Sequence, residues 1–241
     1  MTRKRLWIGS IVTVLLVIVC SIVGMLFALR QVPDFYAKAD RQLPEPKVRR
    51  EQARQLEQRT VDLVKRLEKS PDSWSESFEQ QQINSWLVEE LPENHSRQIP
   101  KGVSDPRVVL QPDRVQVGFK IDQPQWSGIV SVIVQPNIPS PNTIEFHIES
   151  ISAGLVPVPY ERFLPQINNA LKKTKLPYKW IKNENGSHTL ALSLGEKLKQ
   201  QTIESIVVED EKITINGRRL DAVTGDFHFR QVARQMGFRI E

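Results

Sequence analysis

The sequence predicts an α+β protein: an N-terminal transmembrane helix followed by one mostly β domain outside the cytoplasm. Three observations carry that prediction. Residues 6–29 form an apolar run of 24 without a single charge. Between Lys47 and Leu91 apolar side chains recur at helical spacing, and from Asp105 onward the period becomes two, the pattern of strands with one buried face. Runs of helices and runs of strands, rather than strict alternation, place the chain in the α+β class.

The apolar run reads LWIGSIVTVLLVIVCSIVGMLFAL. As a helix it covers about 36 Å, enough for a hydrocarbon core of about 30 Å with some tilt. A cleaved signal peptide has a shorter apolar region and small residues at its cleavage site, whereas this run ends in Phe27-Ala28-Leu29-Arg30. A lipoprotein would need a small residue before Cys20, and Val19 stands there. Arg3, Lys4 and Arg5 crowd the N-terminal flank, while Arg30 stands alone until Lys38. The positive-inside rule then leaves the N-terminus in the cytoplasm and exports the rest. The expected location is a cell membrane, bacterial inner membrane by layout, crossed once.

The formal charge of +5 points to nucleic acid only at first sight. Arg3, Lys4, Arg5 and Arg30, with no acid among residues 1–30, supply +4 of it, which leaves +1 for residues 31–241. A nucleic-acid binder carries its basic patch on the folded domain, so that partner class is excluded. Cys20 is the single cysteine and lies within the apolar run, so the exported domain has no disulfide and must rely on a core.

Residues 31–46, with Pro33, Pro44 and Pro46, read as a juxtamembrane linker. A basic amphipathic helix is expected over 47–69, with Val48, Leu56, Leu63, Val64 and Leu67 near one stripe. Its charged side is either a solvated outer face or a surface for anionic head groups, with Arg49, Arg50 and Arg54 as the membrane-surface candidates. Ser70-Pro71-Asp72 ends it. A second helix is expected over roughly 79–91, with Ser77 as N-cap, Gln80 completing a capping box, and Pro92 closing it. Strands follow: Val115, Val117, Phe119 and Ile121 alternate with polar neighbours, as do Ile144, Phe146 and Ile148, and Leu190, Leu192 and Leu194. Ile129–Val134 is apolar on nearly both faces and reads as a central strand. Pro112-Asp113 and Asn185-Gly186 are turn signals. A helix over 159–173 interrupts the strands, a hairpin over 203–216 ends the domain (47–217), and 218–241 is a polar C-terminal tail.

No catalytic motif emerges. The histidines, His95, His147, His188 and His228, fall in different elements, and His147 with Glu149 on one strand is short of the three or four ligands zinc needs. There is no nucleophile elbow, phosphate-cradling glycine loop, H-E-x-x-H or C-x-x-C. The chain is therefore read as non-catalytic, with no cofactor and no metal. The segment Gly154-Leu155-Val156-Pro157-Val158-Pro159 is stiffened by alternating prolines and either closes one end of the core or offers Leu155 and Val156 to a groove or membrane.

Phe78-Glu-Gln-Gln-Gln-Ile83-Asn84-Ser-Trp86-Leu87, then Asp105-Pro-Arg107-Val108-Val109-Leu110 and Gly154–Pro159, together resemble single-span YpmS-like bacterial envelope proteins and some related lipoproteins, over about residues 74–194. The resemblance implies a curved antiparallel sheet of about seven or eight strands wrapped on a long helix, reminiscent of tubular lipid-binding (TULIP-like) folds, with Asn84 on the helix that fills the concavity. It implies a lipid- or amphiphile-binding module of the cell envelope, its groove lined by Leu87, Val115, Val117, Phe119, Val130, Val132, Ile144, Phe146, Leu155 and Val156. The alternative is an interaction protein that docks another envelope protein through its sheet or C-terminal tail.

Overall fold

The computed structural model describes residues 17–18, 20–69, 71–96, 99–124, 126–174, 176–183, 186–194 and 200–219. Half of the expected span at 6–29 lies outside this set; its end, residues 20–29, is helical and continues to residue 30. Among the described residues no helix is long and apolar enough to cross a membrane. The expected tail also lies beyond the described residues from 220 onward.

The segment expected as a linker is largely helical: α1 spans Asp34–Arg41 and is docked on the sheet, with Tyr36 and Ala39 buried. Two aromatic side chains and the ion pair of Asp40 with the buried Arg107 outweigh the proline punctuation that suggested a connector. Helix α2 follows over Pro46–Glu68, with proline in its first turn, where the missing N–H costs nothing. It buries Ala53 and Leu56.

Strand β1, Ser73–Glu79, stands where a helix start was expected, and helix α3 runs from Gln80 to Asn94. The Ser77 hydroxyl bonds Thr214 Oγ1 at 2.8 Å across a strand pair and caps nothing. Pro92 sits inside the last turns of α3 rather than ending it. The remaining strands are β2 (Val103–Gln111), β3 (Arg114–Gln123), β4 (Trp126–Ser140), β5 (Thr143–Ala153), β6 (Val156–Pro157), β7 (Tyr178–Lys182), β8 (His188–Ser193), β9 (Gln201–Glu209) and β10 (Lys212–Arg219). Helix α4, Leu164–Thr174, lies between β6 and β7.

Two antiparallel sheets result. The larger is a curved seven-stranded sheet ordered β2-β3-β4-β5-β8-β7, with β6 beside β5. The smaller is β1-β10-β9, so the final hairpin recruits a strand 137 residues away instead of extending the main sheet. Three of the two-residue hairpin turns place a non-glycine at positive φ: Asp113, Asn142 and Glu211. The expected turn residue Asn185 lies outside the described residues; the ladder on either side of it closes at Lys182 and His188.

The long helix does not lie inside a wrapped sheet. α2 packs chiefly on α3, and α3 runs along the edge strand β2. Gln52 and Ser85 bond at 2.9 Å between the helices, and Arg49 pairs with Glu89 at 2.5 Å. Arg59 and Arg66 both reach Glu76, tying α2 to β1. Asn84 is buried against β2, where its amide accepts from Val108 N–H (2.8 Å) and donates to Val108 C=O (2.7 Å). Gln80 Oε1 accepts from Leu110 N–H at 2.6 Å. Two side chains of α3 thus satisfy an edge that would otherwise invite another strand.

Candidate functional site

In an antiparallel ladder, residues directly opposite one another point to the same face. Register therefore assembles a face that no single strand reveals. Val108 and Leu110 pair with Val117 and Val115, and Val115, Val117 and Phe119 pair with Val134, Val132 and Val130. Val130 and Val132 oppose Ala153 and Ile151 on β5, and Val134 opposes Ile148. Ile144, Phe146 and Ile148 oppose Leu192, Leu190 and His188, and beyond them lie Tyr178 and Trp180. One apolar surface crosses six strands.

Eight of the groove candidates fall on that face: Val115, Val117, Phe119, Val130, Val132, Ile144, Phe146 and Val156, the last opposite Ala153. Leu87 does not; it is on α3, along the β2 edge. Leu155 lies in the turn between β5 and β6 and is exposed. Val108, Leu110, Val134, Ile151, Ala153, Leu190, Leu192 and Trp180 belong to the same surface and were missed as lining. Their signal was the same period-two alternation, but strand order was needed to show that the alternations share a side.

The face is unevenly covered. Val130, Ile151, Ala153 and Leu110 are buried, whereas Val115, Val117, Phe119, Val132, Val134, Ile144, Phe146 and Ile148 are half-buried. At the β7–β8 side Tyr160 stacks on the His188 ring at 3.6 Å and lies 6.3 Å from Trp180. The Trp180 indole N–H donates to Asn168 of α4 at 3.0 Å. On β7 and β8, Tyr178, Trp180, Leu190 and Leu192 are half-buried as well.

The opposite face is polar and carries α1. Phe35 and Tyr36 press on Gly118, where a Cβ would stand 2.7 Å from the Tyr36 ring. The Tyr36 hydroxyl donates to Asp105 C=O at 2.6 Å, and burial pushes its pKa up to about 12, partly offset by the neighbouring Arg107 guanidinium. Arg107 is buried, bonded to Asp40 at 2.7 Å and held over the Tyr36 ring.

An open polar cleft of about 640 Å³ lies at Gln135, Asn137, Glu145, His147, Asn183 and Thr189. His147 is engaged there by Thr189 and Asn183, both at 3.2 Å, while Glu149 pairs with Arg114 at 3.0 Å. Among the described residues no group of three or more His, Cys, Asp or Glu is placed to hold a metal ion. Of the membrane-surface candidates, Arg49 is spent on Glu89, Arg50 reaches the same carboxylate only at 3.9 Å, and Arg54 is exposed.

Comparison with protein-family models, with curated proteins and with solved structures finds no match.

Proposed function

We propose that this protein is a membrane-anchored, extracytoplasmic module of the cell envelope that binds a lipid or similar amphiphile without catalysis. The observation that carries the reading is the six-strand apolar face, most of whose central side chains keep part of their surface uncovered. A filled core would bury them; an acyl chain laid there would gain about 0.8 kcal/mol per methylene removed from water. The resemblance to YpmS-like envelope proteins and to tubular lipid-binding folds supports the same reading, as does the uncharged run at 6–29.

The test is native mass spectrometry on a chain shortened to begin at Gln31, which keeps α1 on the sheet, released gently and offered phospholipid. A bound species of lipid mass is the expected result. A clean apo mass with no uptake rejects lipid binding and turns attention to docking of an envelope protein. Val61 and Val64, exposed one turn apart on α2, are the observation that favours that second reading.

A further inference from the structure

The exit of the N-terminal helix is bonded to one particular turn of the domain, and that fixes which end of the sheet meets the bilayer. Val17, Ile18, Ile22, Val23, Met25, Leu26 and Phe27 are each more than half exposed, and at about 100° per residue they leave no sector of the helix wider than about 80° between neighbours. A helix apolar on every side and covered by no protein needs an apolar solvent. Cover begins at Ala28 and Leu29, which are half-buried.

The partner there is the turn after β5. Leu155 N–H donates to Ala28 C=O at 3.0 Å, satisfying a carbonyl at the helix end. Gly154 is left-handed (φ +57°), and a Cβ on it would meet the carbonyl oxygens of Ala28 and, at 2.7 Å, Leu29. Its own N–H donates to Ile129 C=O at 2.7 Å, so the turn is fastened to β4 on its other side. Leu155 is 59% exposed beside this junction, with Arg30 exposed just beyond it.

We propose that the Gly154–Leu155 turn is a membrane-contact element that seats Leu155 at the boundary between acyl chains and head groups, so that this end of the apolar sheet face opens on the lipid surface. The inference rests on the anchor reading above and adds the docking surface and the orientation. In a span centred between residues 17 and 18, Ala28 lies about 16 Å from the midplane, against a half-thickness of about 15 Å. Leu155, hydrogen-bonded to Ala28, shares that depth, and Arg30 is placed to reach head-group phosphates. The β9–β10 turn at Asp210 belongs to the other end: Glu211 N–H bonds Leu110 C=O, and Asp113 N–H bonds Val208 C=O.

The experiment uses the full chain in phosphatidylcholine–phosphatidylglycerol vesicles with Cys20→Ser. Single cysteines replace Leu155 or, as the far-end control, Asp210, and carry an environment-sensitive fluorophore. The label at 155 is expected to be quenched by nitroxide-bearing lipid roughly twofold or more above the label at 210, and to be shielded from aqueous iodide. Iodide access at 155 equal to that at 210, in a chain that resists alkaline extraction, overturns the docking surface while leaving the anchor intact. A chain stripped from the vesicles at alkaline pH overturns the anchor, and the docking surface falls with it.

Discussion

Asn84 and Asn142 each hold a side-chain amide where a neighbouring strand would stand. Asn84 pairs with both backbone groups of Val108, and Asn142 accepts from Ile203 N–H at 2.8 Å while donating to Gln201 C=O at 3.1 Å. Removing such a partner leaves backbone groups unsatisfied, at about 1–3 kcal/mol for each one buried. Asn84→Ala is therefore expected to lower unfolding stability by about 2–3 kcal/mol, read as a drop in the urea midpoint at unchanged slope. A loss below about 0.5 kcal/mol would mean that water replaces the amide without penalty. Tyr36 gives a pH prediction. Its folded pKa of about 12 exceeds the ordinary value of 10.0, so its contribution is whole below pH 10 and is lost as pH rises toward 12. Between pH 8 and 11.5 the urea midpoint of wild type should fall more steeply than that of Tyr36→Phe; parallel profiles would contradict the assignment. The helix that carries Asn84 was legible, but the partner of its amide was not, because nothing local names Val108.

Helices α2 and α3 form an antiparallel layer that covers the β2 edge, and the charges on α2 divide by where they point. Arg49, Arg59 and Arg66 face carboxylates on α3 and β1, whereas Arg50 and Arg54 are exposed. The head-group reading now rests on the latter pair alone. Reversing both as Arg50→Glu and Arg54→Glu should weaken binding to anionic vesicles by roughly an order of magnitude or more in sedimentation assays, at about 1 kcal/mol per nearby charge. Unchanged binding would leave the outer side of α2 as a solvated face. Strand β1 shows what local pattern misses: SWSESFE is polar and preceded by a helix breaker, and it becomes a strand because β10 offers a free edge. Helix α1 shows the converse, since its aromatic pair finds the bare backbone of Gly118.

At the scale of the whole molecule, the ends of the main sheet differ. One is bound to the three-stranded sheet through Asn142 and the Asp113 turn; the other receives the N-terminal helix at Gly154–Leu155. Strand β5, which lies between Asn142 and Gly154, separates these ends by about 33 Å at roughly 3.3 Å per residue. Val132 sits in the middle of the apolar face, between Val117 and Ile151. Val132→Asp should sharply reduce lipid uptake in native mass spectrometry while far-UV circular dichroism stays unchanged. Uptake equal to wild type would place the ligand elsewhere.

Period-two alternation, the helical stripe over 46–68 and the turn at Pro112-Asp113 are consequences of local geometry, so the sequence alone determined the α+β class, most strand positions and the absence of a recognisable catalytic motif. Strands β3, β5 and β8 each declared an apolar side. Which strands pair, that their apolar sides merge into one half-open face, that α3 guards an edge instead of filling a concavity, and that Leu155 meets Ala28 were decided by tertiary structure. Those facts depend on hydrogen-bond partners far apart in the chain, and a one-residue change of register would have reversed every face without altering a single local pattern.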